Sequence, residues 1–165
     1  MRRRRPEPGA AAEADQRTVQ TAAYALLAGR DFSRHELTER LLRKGYGAAV
    51  VEAAVAAIVQ EGFLREERFA EQFVTQRAGR GQGPLRVRMG LRDKGVEPET
   101  IEQALDTTET DWVQAAREAR RRKFGLSPPA DYRERAKQAR FLQYRGFSSD
   151  QIRAALGPGE DDPDP

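Results

Sequence analysis

The sequence predicts an all-α protein of three tandem three-helix repeats, stacked into a curved, elongated array. First, the chain of 165 residues is rich in residues that favour helix, among them leucine, alanine, glutamate and arginine. Second, apolar residues recur at helical spacing along most of the chain. Third, a pattern built around a helix-ending glycine occurs three times, at a period of 50 and then 51 residues. Units of this size cannot bury their apolar stripes alone, so we expect neighbouring units to stack.

The repeat is defined by Gly45, Gly95 and Gly146, each of which follows a cation, as expected at a helix end. Each copy has leucine four residues before the glycine and a bulky apolar residue directly after it. Branched apolar residues stand six and ten positions after the glycine, and alanine stands nine after it. We assign these apolar positions to the core, and the repeated cation to helix-end chemistry rather than to a ligand contact. The aligned residues are Leu41, Leu91 and Leu142; Lys44, Lys94 and Arg145; Tyr46, Val96 and Phe147; Val51, Ile101 and Ile152; Ala54, Ala104 and Ala155; and Val55, Leu105 and Leu156.

Helix-start signals divide each repeat. Ser33 and Glu36 are spaced as a capping box, and Asp131 with Glu134 is a second candidate. Pro84 stands where the first residue of a helix would be, a position that needs no amide hydrogen. The predicted segments are a disordered basic N-terminal tail over 1–17, three-helix repeats over 18–62, 63–108 and 109–157, and a disordered acidic C-terminal tail over 158–165.

Composition excludes several classes of function. The chain has no cysteine and only one histidine, His35, so disulfides, thiolate chemistry and multi-histidine metal sites are excluded. It has no HExxH or GxSxG motif and no apolar run near the roughly 18 residues of a membrane span. We therefore expect a soluble cytoplasmic protein that is not an enzyme and needs no cofactor.

The strongest charge feature lies at mid-chain. Between positions 77 and 95 there are six cations and one acid, and a glycine-rich turn separates two helices there. GRGQGP at 79–84 lacks the GK[ST] of a phosphate-binding loop, so we interpret Gly81, Gly83 and Pro84 as a structural turn. A second interpretation is a low-profile platform for a close partner. The candidate partner-binding cations of this region are Arg77, Arg80, Arg86, Arg88, Arg92 and Lys94.

The third repeat adds a second basic region. In the run from Arg117 to Lys123, positions 117, 120, 121 and 124 share a helical face, which is either a solvated face or a surface for an anionic partner. We add Arg117, Arg121 and Arg140 to the candidates. Trp112 and Tyr132 could stack on bases, but their places at helix starts favour core packing.

These residues together resemble a known family. The segments RFAEQFVTQR at 68–77, GQGPLRV at 81–87 and LRDKGV at 91–96 look like the signature of the bacterial regulatory protein RecX. SRHELTERLLRKGY in the first repeat and RFLQYRGFSSDQIRAAL in the third resemble the same family, and the resemblance covers about 22–156. Two positions depart from the pattern: Gly90 falls inside a helix, and Gln138 replaces an apolar residue.

The resemblance implies three three-helix repeats and a noncatalytic function. Proteins of this family bind in the groove of the RecA recombinase filament on DNA, and they inhibit strand exchange and ATP hydrolysis. We therefore expect a monomer whose partners are the RecA filament and, weakly through phosphates, single- or double-stranded DNA, with no membrane. The alternative is a helical DNA-binding module that acts without RecA. It is disfavoured because the helix after SRHELTERLLRKGY is apolar on most faces and carries no base-reading residues.

Overall fold

The computed structural model describes residues 15–159, and the regular secondary structure in that range consists of α-helices joined by turns. The predicted all-α class is confirmed, with three helices in each repeat. None of the helices in this range is long and apolar enough to cross a membrane. The helices are α1 (Gln16–Gly29), α2 (Arg34–Arg43), α3 (Ala48–Gln60), α4 (Glu66–Gly79), α5 (Pro84–Asp93), α6 (Pro98–Thr107), α7 (Trp112–Phe124), α8 (Tyr132–Tyr144) and α9 (Ser149–Leu156).

Of the two predicted capping boxes, the one formed by Ser33 and Glu36 is complete. Ser148 and Gln151 form a further complete box at the start of α9, which was not predicted. At α8 only half of the predicted box forms. The Asp131 carboxylate accepts the Glu134 amide hydrogen at 2.8 Å, but the Glu134 carboxylate accepts from the side chain of Gln138 instead, at 3.2 Å.

The ends of the chain were predicted as tails. Helix α1 begins at Gln16, inside the predicted N-terminal tail, because the Asp15 carboxylate caps it by accepting the Thr18 amide hydrogen at 2.8 Å. The basic cluster Arg2–Arg5 and the acidic residues from Glu160 onward lie outside the described residues. The repeat boundaries at 62 and 108 stay a prediction.

The described residues form two compact units. The first unit takes the described residues up to Phe69 together with Lys94–Glu97. Its core lies where α1 and α2 pack against α3. The buried side chains of this core include Val19, Ala23, Leu37, Leu41, Val51, Val55, Ile58 and Leu64.

The second unit takes Ala70–Asp93 and the described residues from Pro98 onward. Here α7 packs against α8 and α9, and α5 packs against α6. Its α7–α9 core consists of Ala116, Ala119, Leu142, Phe147, Ile152 and Ala155. The leucine four residues before the glycine is completely buried in all three repeats.

The three register glycines have left-handed backbones, as their position after a helix end requires. Their φ angles are 96° at Gly45, 71° at Gly95 and 94° at Gly146. Gly95 and Gly146 do more than end a helix, because each turn receives the start of another helix.

In the second unit, the start of α5 joins the turn after α8. The Gly83 amide donates to the Arg145 carbonyl at 2.8 Å, and the Leu85 amide donates to the Gly146 carbonyl at 3.0 Å. The orphan amides of one helix start thus satisfy carbonyls at the end of another helix, and the two helix dipoles have favourable signs at this point. A side chain at Gly83 would place Cβ 2.5 Å from the Phe147 amide nitrogen, so only glycine fits.

The first unit contains a related joint. The Ser33 hydroxyl at the start of α2 donates to the Lys94 carbonyl at 2.7 Å. A Cβ on Gly95 would lie 2.5 Å from Cβ of His35. In both units a helix-ending glycine therefore allows the backbone to approach the start of a second helix.

Both departures from the family pattern have a packing reason. The ring of Phe73 lies against Gly90, where an added Cβ would be 2.8 Å from the ring carbon Cζ. Gln138 is buried because it binds Arg120, whose guanidinium donates to the Gln138 side-chain oxygen at 3.1 Å. The same guanidinium donates to the carbonyls of Ser127 and Leu126 at 3.1 and 3.4 Å. A buried arginine is stable only when its donors are paired, as they are here.

Candidate functional site

The predicted basic surface begins at the end of α4. Arg77 is half-buried, with its guanidinium 4.7 Å from the ring centroid of Phe73 and its buried Nε without a hydrogen-bond partner. Arg80, three residues later, is exposed. Gly81 and Gly83, which lie between Arg80 and the first residue of α5, are buried. The glycine turn is therefore covered by the fold, and it offers no open platform to a partner.

Arg86 and Arg88 on α5 both bind within the second unit. Arg86 Nη1 donates to the Tyr144 carbonyl at 2.9 Å, and the guanidinium lies 5.0 Å from the Tyr144 ring centroid. Arg88 makes a bidentate contact with the Glu102 carboxylate, at 2.6 and 2.9 Å. The hydrogen bonds from Arg88 hold the pKa of Glu102 below its ordinary value. Arg86 therefore links α5 to α8, and Arg88 links α5 to α6, within the second unit.

Lys94 has a similar internal role in the first unit. Its Nζ lies 2.6 Å from a Glu36 carboxylate oxygen, and Arg30 Nη1 lies 3.2 Å from the other oxygen. Burial raises the pKa of the Glu36 carboxyl, but the hydrogen bonds from Lys94 and Arg30 outweigh burial and hold the pKa below its ordinary value. The capping residue of α2 is thus also the anion of an ion-pair cluster.

The remaining predicted cations divide into two groups. Arg117 is exposed and donates to the Ala154 carbonyl at 3.3 Å. Arg120, which was predicted to share a face of α7 with Arg117, is buried, so its guanidinium is not part of the exposed basic surface. Among the residues that the structure describes, four predicted cations are exposed and have no side-chain hydrogen bond or ion pair: Arg80, Arg92, Arg121 and Arg140.

The structure also shows an exposed apolar feature that was not predicted. Leu85 is 48% exposed and Met89 is 62% exposed, and with Arg92 they form one line along the outer face of α5. We call these three residues the α5 ridge. The signal was present in the sequence, because Leu85 and Met89 stand two positions from the buried Val87 and therefore point away from the core.

A second line of exposed residues runs along α8. Arg133, Lys137, Arg140 and Tyr144 stand at i, i+4, i+7 and i+11, so they share one face, and all four are exposed. We call them the α8 stripe. Tyr144 is 75% exposed, and Arg86 holds it through the ring and carbonyl contacts described above.

The two aromatic residues that were assigned to the core differ. Trp112 is half-buried and packs against the α7–α9 core, as predicted. The prediction for Tyr132 is wrong, because this residue is 82% exposed. Tyr132 is the first residue of α8, and the buried residues of this helix, Gln138 and Leu142, come later in it.

Family models match the chain in three consecutive pieces. The model described as the first three-helix domain of RecX matches residues 21–56, the second domain matches 66–105, and the third matches 109–156.

Named relatives extend over nearly the whole chain. The Regulatory protein RecX of Halorhodospira halophila is 46% identical over 156 residues, which is 94% of each chain. The Regulatory protein RecX of Pseudomonas fluorescens strain Pf-5 is 44% identical over 145 residues, covering 87% of this chain and 94% of the relative.

A solved structure shares the fold. The crystal structure of RecX from Lactobacillus salivarius matches with a TM-score of 0.73 at 21% identity, over 86% of this chain and 94% of that one. Three domain models in the right order and long relatives above 40% identity agree with the helical repeats and with the signature segments. The chain therefore belongs to the RecX family of regulatory proteins.

Proposed function

We propose that this chain is a noncatalytic regulator of the RecA recombinase that binds in the groove of the RecA–DNA filament and inhibits strand exchange and ATP hydrolysis. Membership of the RecX family supports the regulatory role. The α5 ridge is the observation that supports binding to a protein surface.

The ridge suits a protein partner because it combines two large exposed apolar side chains with a cation. Exposed leucine and methionine side chains gain free energy when they are buried against apolar protein surface. Contact with DNA phosphates would not bury these side chains against apolar surface. Arg92 extends the line and would pair with a carboxylate at the rim of such an interface. We therefore assign the principal RecA contact to Leu85, Met89 and Arg92.

Of the nine cations predicted to contact a partner, we assign direct contacts to those that the fold leaves exposed. Arg80 and Arg92 would meet recombinase carboxylates, and Arg121 and Arg140 would meet carboxylates or DNA phosphates. Arg117 would join them by exchanging its weak contact with a carbonyl. Arg77, Arg86, Arg88 and Lys94 would act through the shape of the molecule, because each already packs or pairs internally.

The partner and state of the protein follow from this proposal. We propose that it acts in the cytoplasm as a monomer, where the RecA filament assembles on DNA. No cofactor is needed, since binding alone alters the filament. Contacts of the α8 stripe with phosphates would be weak and would lose affinity as salt rises, because phosphate binding releases counterions.

The experiment compares inhibition of RecA by ridge and control variants. Met89→Glu combined with Arg92→Glu should weaken inhibition of ssDNA-dependent ATP hydrolysis by at least ~tenfold in effective concentration, because it places two carboxylates on an interface for acidic protein surface. The control carries the same charge change at the exposed start of α1, Gln16→Glu with Arg17→Glu. It should inhibit as the original chain does. Equal inhibition by the ridge variant and the control would remove the ridge from the mechanism.

A second candidate function is a DNA-binding module that acts without RecA, and the α8 stripe is the observation that favours it. Cations at helical spacing that end in an exposed tyrosine suit phosphates and a stacked base. Titration of labelled DNA with the chain alone, at several salt concentrations, separates the two functions. Weak binding that disappears at moderate salt agrees with a RecA regulator, whereas tight, sequence-selective binding would favour the module.

A further inference from the structure

The second unit contains a cleft that the proposed RecA contact does not use. Its volume is about 540 Å³. Its walls are the proline linker before α8, one face of α8, the inner side of α9 and the segment that follows α9. We propose that this cleft binds an acidic peptide segment of a partner protein, held by an apolar anchor residue and by carboxylates. The proposal stands on the cleft alone and does not depend on RecA as the partner.

The cleft exists because the third repeat departs from the other two. The connection from α7 to α8 covers residues 125–131, whereas the corresponding connections cover only 30–33 and 80–83. The extra residues include Pro128 and Pro129, which line the cleft. Proline fixes its own φ angle, so this wall is stiff.

The longer linker is also fixed from inside the molecule. The buried guanidinium of Arg120 donates to the carbonyls of Leu126 and Ser127, directly before the two prolines. Gln138 holds that guanidinium in turn. A buried polar pair therefore positions the wall before any ligand arrives, which lowers the entropy cost of binding. This role accounts for the glutamine that replaces an apolar core residue in α8.

The interior of the cleft suits one apolar side chain. Ala139 on α8 has a short side chain and leaves depth, while Ile152 and Leu156 on α9 supply apolar surface. Tyr132 lines the edge of the cleft and is 82% exposed. An exposed tyrosine beside prolines and aliphatic residues is a typical anchor surface for an extended peptide. Gln143, also at the edge, can donate to and accept from the backbone of such a peptide.

Charge selects an acidic ligand. Arg135 and Arg153 line the cleft together with one acid, Asp131, so the lining residues carry a net charge of +1. Arg135 donates to the carbonyls of Leu156 and Gly157, which leaves its charge uncancelled. Arg153 has only an exposed contact of 3.6 Å with Asp150, and such pairs are weak. The cleft is therefore positive and attracts carboxylates.

A peptide fits better than a nucleic acid strand. Three of the lining residues are prolines, which have no amide hydrogen to offer to phosphates. The cleft residues of α8 (Tyr132, Arg135, Ala139 and Gln143) also lie on a different face from the α8 stripe. A strand that follows the stripe would not enter the cleft.

Selection of random peptides on phage against the full chain tests the proposal, followed by fluorescence anisotropy with the selected peptides. We expect selected sequences with several aspartates or glutamates around a leucine, phenylalanine or tryptophan. Arg153→Glu should weaken their binding by at least ~tenfold, and Ala139→Phe should abolish it by filling the cleft. Lys137→Glu is the matched control, since it makes the same charge change on the neighbouring face of α8, and it should leave binding within about twofold of the original chain, allowing only for long-range charge.

Three outcomes would overturn the proposal. These are the absence of any enriched peptide, enrichment without acids, and equal loss of binding in Arg153→Glu and Lys137→Glu. Because Ala139→Phe could disturb folding, its helix content is checked by circular dichroism. If that variant loses helix, the test rests on Arg153→Glu. A fourth outcome would also overturn it: if peptides bind only after residues 160–165 are removed, the occupant of the cleft is the acidic segment of this chain and not a partner protein.

Discussion

Replacing Gly83 by alanine should destabilise the second unit by disrupting the joint between α5 and the turn after α8. The new Cβ would lie 2.5 Å from the Phe147 amide nitrogen, and its other near neighbours, the carbonyl atoms of Gly146, are also backbone. A backbone cannot rotate away as a flexible side chain does, so the two segments must separate. The hydrogen bonds from Gly83 and Leu85 then lengthen or break.

The magnitude follows from those two bonds. Each backbone hydrogen bond contributes about 1 kcal/mol net, and a buried amide left unpaired costs about 1–3 kcal/mol. We therefore expect Gly83→Ala to lower the free energy of unfolding by about 2–4 kcal/mol. Urea denaturation followed by circular dichroism measures the change, and a shifted midpoint with an unchanged slope shows a loss of stability.

Gly79→Ala is the matched control, because Gly79 lies at the end of α4 with an ordinary φ angle and open space around its Cβ position. Alanine there should be neutral or should stabilise by up to about 1 kcal/mol. A Gly83→Ala protein as stable as the original chain would refute the joint, as would equal destabilisation by both variants.

Three further predictions rest on single contacts. The pKa of Glu36 is held below its ordinary value of 4.5 in the folded chain. The ionised carboxylate therefore stabilises the fold fully above that pH, and this stabilisation is lost as the pH falls through the folded-state pKa. Glu36→Gln should reduce the fall in melting temperature that the original chain shows between pH 6 and pH 3. Gln138→Leu removes a hydrogen-bond partner of the buried Arg120 guanidinium and should lower the free energy of unfolding by about 2–4 kcal/mol. The double variant with Arg120→Met should recover most of this loss in urea denaturation. Additive losses would show that the two side chains act independently. That double variant should nevertheless lose affinity for the selected acidic peptides, since the proline wall loses its internal support; unchanged anisotropy would show that the linker holds its position without Arg120.

The sequence was sufficient for the fold because the fold depends on local and periodic signals. Leu41, Leu91 and Leu142 have the same distance to a helix-ending glycine, and all three are completely buried. The boundaries of helices followed caps such as Ser33 and Ser148, whose partners stand three residues away. Such short-range chemistry is visible without coordinates.

The assignment of individual cations could not be predicted in the same way. Arg86 and Lys94 bind groups that are 58 positions away in the chain, and Arg88 binds a carboxylate 14 positions away. Long flexible side chains take whichever partner the packing of helices brings near, so sequence spacing does not identify them. Leu85 and Met89 stand opposite a buried valine, so their exposure follows from helical spacing. The cleft depends on a linker conformation that no periodic pattern encodes.

Photocrosslinking from position 89 measures directly whether the α5 ridge touches RecA. The chain with Met89→p-benzoyl-phenylalanine is irradiated on RecA filaments assembled on single-stranded DNA, beside a control with the same residue introduced at the exposed Gln16. Mass spectrometry should find products joined to RecA from position 89, and few or none from position 16. Products joined only to DNA, or no RecA product from a variant that still inhibits ATP hydrolysis, would contradict groove binding through the ridge.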